Sequence, residues 1–135
     1  MASCSTYLSN KILDHVYGKQ TFTADDDLEI ALYSTAPNSD GSGGTELPNT
    51  GGYERFAFTN DTTTFPGSAA RQTLNDITLD FENDGSAGNW LPAVAWKIFD
   101  SSGNVYTFGP ITPSVTVRAF QLRSFPLSAL VHNLT

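Results

Sequence analysis

The sequence predicts a mainly β protein: a single-domain β-sandwich or barrel, jelly-roll-like, opened by one short N-terminal α-helix. Three observations carry this expectation. Apolar residues recur at helical spacing near the N-terminus and alternate with period two thereafter. Clusters of Gly, Pro, Ser, Thr and Asn divide the rest into short runs with turn signals between them. Charged residues make up only 16% of the chain against 39% apolar, a composition that suits strands and turns better than helices.

The helix is expected over residues 5–17. Leu8, Ile12 and Val16 fall at i, i+4 and i+8 with Leu13 beside them, Ser5 or Thr6 can cap the start, and Gly18 sits where a left-handed residue ends a helix. Its single apolar stripe must dock on the chain's own sheet or on a neighbouring subunit. The β body is expected over 28–135. Leu28, Ile30 and Leu32 alternate with Glu29, Ala31 and Tyr33 as a half-buried strand. Thr35 to Gly52 is nearly free of apolar residues and reads as a long exposed excursion, a length that loops commonly reach for function. Tyr53 to Phe58 reads as a strand, and Thr59 to Thr73 as a second loop anchored by Phe65. Ile77, Leu79 and Phe81 give the cleanest alternation.

Val94, Trp96 and Ile98 form the next inward set, with Phe99 on the opposite face. Asp100-Ser101-Ser102-Gly103-Asn104 reads as a hairpin turn leading back through Val105 to Phe108. The pattern continues at Val115 and Val117 and changes phase to Phe120 and Leu122, which predicts a bulge near Arg118-Ala119. Leu127 to Leu134 reads as the final strand. At 135 residues the chain holds one core rather than two, so residues 1–135 are read as one domain.

A formal charge of -7 with seven scattered basic residues argues against nucleic acid as a direct partner. One cysteine, Cys4, cannot form an internal disulfide framework. No run is apolar and long enough to span a membrane, and no basic-then-apolar leader precedes the helix, so synthesis in a cytoplasm is expected.

Candidate chemistry is sparse. Asp25-Asp26-Asp27 lacks the alternate ligand spacing, glycine turn and distal carboxylate of a calcium loop and reads as a solvated strand entry. His15 and His132 stand at opposite ends without the neighbours that a metal site or triad needs. Cys4 has no nucleophile elbow or basic neighbour. Asn60-Asp61-Thr62 and Asn133-Leu134-Thr135 match the glycosylation pattern by chance in a chain without a secretory signal. No catalytic residue, metal site or cofactor is expected. Trp90, in Asn89-Trp90-Leu91-Pro92, is the best candidate for a ligand-binding or interface aromatic, and packing is its alternative role; Trp96 reads as core.

The run Ser5-Thr6-Tyr7-Leu8-Ser9-Asn10-Lys11-Ile12-Leu13-Asp14-His15-Val16 resembles the opening of a family of short tailed-bacteriophage virion proteins. The resemblance continues through Phe22-Thr23, Leu28-Glu29-Ile30-Ala31-Leu32-Tyr33-Ser34-Thr35-Ala36-Pro37, Gly43-Gly44-Thr45-Glu46-Leu47 and Gly51-Gly52-Tyr53-Glu54-Arg55. It is looser beyond, chiefly Ile98 to Val105 and the last strand. The acidic Asp25-Asp26-Asp27, where members commonly carry a Pro-containing segment, and Glu54 within the Gly-Gly-Tyr-x-Arg piece depart from it. Such members are tail-fibre-like or minor structural proteins, and the resemblance brings no catalytic residues.

The resemblance implies a non-enzymatic virion structural protein whose partners are other virion proteins. A fibre shaft needs collagen-like, coiled-coil or β-helical repeats, and the sequence has none. The favoured expectation is therefore a capsid decoration or cement protein that binds and stabilises neighbouring major capsid protein subunits as a homo-oligomer, for example a trimer. The alternative is a tail-fibre or tail-associated subunit, including a receptor- or carbohydrate-binding module. Leu8, Ile12 and Val16 are the expected assembly contact.

Overall fold

A computed structural model describes residues 2–65, 67, 72–74, 77–125 and 131–133, of which 72–74, 125 and 131–133 are known by backbone alone. In chain order the elements are β1 (Ser3–Cys4), α1 (Thr6–Val16), β2 (Asp27–Thr35), β3 (Thr45–Glu46), β4 (Phe56–Thr59), β5 (Gln72–Leu74), β6 (Leu79–Glu82), β7 (Ala93–Asp100), β8 (Val105–Val115), β9 (Leu122–Phe125) and β10 (Val131–Asn133). The fold is mainly β with one short helix, as the patterning predicts.

Helix α1 starts where its cap allows. Ser5 is extended, and its Oγ accepts from the Leu8 N–H at 3.1 Å. The same hydroxyl donates to the Val105 carbonyl, and Ser5 N–H donates to Tyr106 O at 2.9 Å, so the cap also fixes the helix to β8. Tyr17 closes the helix, and Gly18 follows at φ +72.

The main sheet is antiparallel, ordered β1-β8-β7-β2-β3. One side of β2 pairs with β7 from Leu28↔Asp100 to Tyr33↔Ala95. Its other side is shared: β4 takes Asp27 to Ile30, and β3 takes Tyr33 and Thr35. A two-stranded ladder of β6 and β9 packs over one face of this sheet through Leu79 and Phe81, and β5 pairs with β10. The layers make an open sandwich rather than a closed barrel. Between them Ile30, Leu32, Trp96 and Ile98 meet Leu79, Phe81, Tyr53 and Trp90. Full burial of each such aliphatic side chain contributes roughly 1.5–3 kcal/mol. Ala31, Tyr33, Ala95 and Phe99 form a second, smaller cluster on the opposite face of β2 and β7.

Three expectations need correction. Val94 packs with Ala95 and Phe99 rather than with Trp96 and Ile98, because the β7–β8 register shifts between Ala93 and Ala95 and reverses the alternation there. The stretch from Thr35 to Gly52 is largely exposed but docked: Leu47 is buried, Thr6 N–H donates to Asp40 O at 3.0 Å, and Lys97 Nζ donates to Gly43 O at 2.6 Å. The phase change near Arg118 is a turn, with Gln121 N–H donating to Arg118 O at 3.0 Å, not a bulge. Phe120 and Leu122 accordingly point outward and are exposed. Of the expected last strand, Val131–Asn133 is present as β10, and the rest lies outside the described residues.

Candidate assembly surfaces

Three of the segments that carry the family resemblance, around Leu32, Glu46 and Gly51 to Arg55, meet in one structural network. Gly51 and Gly52 lead into Tyr53, whose ring is buried face-on to Phe81 and edge-on to Trp90. Tyr53 Oη accepts from the buried Leu32 N–H at 3.0 Å and donates to Glu46 Oε1 at 3.1 Å. Burial, the largest influence, pushes this hydroxyl well above the usual tyrosine range. Arg55 then holds Glu46 with two bonds, Nε to Oε1 at 2.9 Å and Nη2 to Oε2 at 2.8 Å, and reaches Glu29 at 3.4 Å. Its guanidinium lies 4.2 Å from the centroid of the Phe99 ring, on the small cluster's side. The Gly-Gly-Tyr-x-Arg and Thr-Glu-Leu pieces are thus two halves of one clamp that closes β3 and β4 onto β2.

Trp90 belongs to the same network. It is 7% exposed, and its indole N–H donates to Gly51 O at 3.0 Å. Gly51 stands at φ +64, and a Cβ there would lie 3.0 Å from the indole nitrogen, so only glycine lets the two approach. A sugar-stacking aromatic presents a ring face to solvent, whereas this one faces Tyr53. Trp90 is thus packed between Gly51 and Tyr53.

Leu8, Ile12 and Val16 do not share one environment. Leu8 packs against the core, Ile12 is half-buried, and Val16 is 65% exposed. Leu13 and Tyr17 beside Val16 are exposed too, so α1 rests its first turns on the sheet and leaves its last turn bare. Under the docked turns lies an apolar cavity of about 230 Å³ lined by Leu8, Phe22, Leu28, Phe65, Ile98 and Tyr106. His15 Nδ1 accepts from Phe22 N–H at 3.2 Å, tying the chain after the helix back to it.

The acidic run at the entry to β2 works through hydrogen bonds. Asp25 accepts from Ser101 N–H at 3.0 Å, from Ser101 Oγ and from Asp27 N–H at 3.1 Å, which pins the 100–104 turn. These donors, Ser101 Oγ foremost, hold its carboxyl below the usual range. Cys4 lies in β1 opposite Thr107, and burial pushes its thiol up, away from nucleophilic character. Among the described residues no group of three His, Cys, Asp or Glu could hold a metal ion, and no helix is long and apolar enough to cross a membrane. His132 sits in β10, where only the backbone is described.

Sequence reasoning missed the Glu46–Arg55 clamp and Lys97. Lys97 is 4% exposed, its ammonium 4.6 Å from the Tyr33 ring centroid, and burial pulls its pKa below the usual lysine range despite Asp40 and Glu46. The signal for the clamp was present in the spacing of Glu46 and Arg55 about a Gly-Gly turn. Nothing in the alternation of β7 separates a lysine snorkelling to solvent from one covered by a loop.

The arrangement is one of braced loops over a sheet, with an exposed helix end. No curated protein matches the chain. The family model described as Podophage GP4 fiber I protein gp80 matches residues 3–132, which takes in the helix, every strand of the main sheet and the clamp. The chain belongs to this family of short-tailed bacteriophage fibre proteins and is a phage virion structural protein.

Proposed function

We propose that the chain is a non-enzymatic fibre subunit of a short-tailed phage, which acts by presenting a rigid β body and joining other virion proteins through the bare end of α1. The observation that carries this is the extent of the family match, residues 3–132, which spans the fold rather than one motif. The described side chains fit the role. Polar and charged groups such as Arg55, Asp25 and Lys97 hold loops and turns in place, a use that needs no substrate. Leu13, Val16 and Tyr17 form an apolar patch at the helix C-terminus of the kind that marks protein contacts.

Membership of a fibre protein family favours a fibre over the capsid-decoration role expected above. Homo-oligomeric assembly, in which copies of this β body associate along the fibre, is part of the proposal. Quantitative mass spectrometry of intact particles and of particles stripped of fibres tests it. The chain should be present in several copies per virion and leave with the fibres. Retention on stripped capsids at the stoichiometry of capsid subunits would favour decoration instead.

A further inference from the structure

The 118–121 turn presents an aromatic ring in a way that packing does not require. Arg118 O accepts from Gln121 N–H at 3.0 Å, and Phe120 takes φ +61. Phe120 has the only positive φ among the described non-glycine residues. A positive angle at the third position alone is the type II pattern, where glycine or asparagine is expected. A bulky residue there is a conformational outlier and commonly marks a functional position. The turn is braced rather than loose. Ala119 N–H donates to Asn89 Oδ1 at 3.1 Å, Arg118 N–H to Gln121 Oε1 at 3.0 Å, and Asn83 N–H to Gln121 O at 3.0 Å.

Phe120 is 83% exposed, and its ring lies beside Gly85. A Cβ built on Gly85 would lie 2.4, 2.5 and 2.6 Å from Phe120 Cζ, Cε1 and Cε2. An edge-on approach would place one ring atom much nearer than its neighbours, so three nearly equal distances mean that the ring lies flat over Gly85. One face is bedded on backbone and the other is open to solvent. The rim is made of donors. The oxygens of the Asn89 and Gln121 amides accept from backbone N–H groups, which leaves the NH₂ group of each exposed side chain as its donor. Arg118 has no carboxylate within ion-pair distance among the described residues.

We propose that Phe120 is a saccharide-stacking platform, with Arg118, Gln121 and Asn89 donating to the hydroxyl or carboxylate oxygens of the sugar. A flat apolar face ringed by donors complements a pyranose, which carries C–H groups on one face and oxygens around its edge. A protein hot spot is instead a buried pocket sealed by its surroundings. The carbohydrate role that the sequence offers to Trp90 thus passes to a residue whose face is open. The platform lies beyond the Ala93 end of β7, whereas α1 packs near Ile98 at the other, so both surfaces can be occupied together. The site does not depend on where in the virion the chain sits.

The test uses the purified full-length chain on an array of neutral and uronic-acid-containing bacterial oligosaccharides, with bound glycans titrated against Phe120→Gly and Phe120→Trp. Binding should fall about tenfold or more in Phe120→Gly, as expected for loss of an aromatic stack, and persist in Phe120→Trp. The Tm of Phe120→Gly should equal or exceed that of the parent, because glycine relaxes the left-handed position. Absence of glycan binding at millimolar concentration, or equal binding by Phe120→Gly, overturns the proposal. A lowered Tm in Phe120→Gly would make the ring a packing element and overturn it too. So would loss of particle incorporation in Phe120→Gly without glycan binding, which would make the turn a protein contact.

Discussion

Tyr53 ties β2, β3, β6 and the Trp90 segment together through one side chain. Its hydroxyl is the acceptor for the buried Leu32 N–H, which falls in the gap between the β4 ladder, ending at Ile30, and the β3 ladder, starting at Tyr33. Tyr53→Phe leaves the donor stranded, and chemical denaturation should show a loss of about 1–3 kcal/mol. Asp25 gives a pH signature. Its folded pKa is depressed, so its contribution is present above the unfolded value near 4 and is lost as pH falls through the lower folded value. Asp25→Asn should therefore be less stable than the parent at neutral pH, and the two should converge in strong acid, as read by urea midpoints across pH. Residue roles were the least legible part of the sequence. The spacing of Trp90 in Asn-Trp-Leu-Pro says nothing of whether a glycine elsewhere, here Gly51, opens a seat for the indole. Phe120 was misread for a related reason: alternation counts apolar residues and cannot see a turn that reverses their direction.

The elements were easier to read where local signals agree. Helix α1 matches its expected span because a serine cap, an i, i+4 stripe and a terminal glycine all mark the same eleven residues. Strand β2 follows its period-two pattern, and the 100–104 turn forms as expected, with Asp100 Oδ1 accepting from Ser102 N–H at 3.0 Å and Asn104 N–H at 2.8 Å. Two-residue strands such as β1 and β3 carry no periodicity and could not be found that way. Ser5→Ala removes the cap of α1 and its bond to Val105 together, and should cost roughly 1–2 kcal/mol in thermal or chemical unfolding. The helix also has two ends with different duties. Val16→Asp, on the bare turn, should change stability by less than about 0.5 kcal/mol while reducing incorporation into particles. Leu8→Asp places a charge against the core and should unfold the domain. Equal unfolding in both variants would return the whole helix to the core.

For the molecule as a whole, the sequence specifies a β-rich body through its alternation and turns, but not how the layers close. Whether strands end in a barrel or an open sandwich depends on which edges meet, and β3 and β4 divide one edge of β2 in a way that no local pattern records. The family resemblance in the first 55 residues anticipated a virion structural protein, and the match over residues 3–132 extends that to a fibre family. The resembling segments around Glu46 and Gly51 to Arg55 form a structural joint, Tyr53 and Arg55 with Glu46. On the proposed function the chain works by its position within the particle, so that position is the decisive quantity. Cryo-electron microscopy of intact virions, with the chain tagged by a small fused label, measures it directly. The account predicts label density on fibres at the tail, repeated with the symmetry of the fibre. Label density spread over the capsid lattice, or absent from the particle, would contradict it.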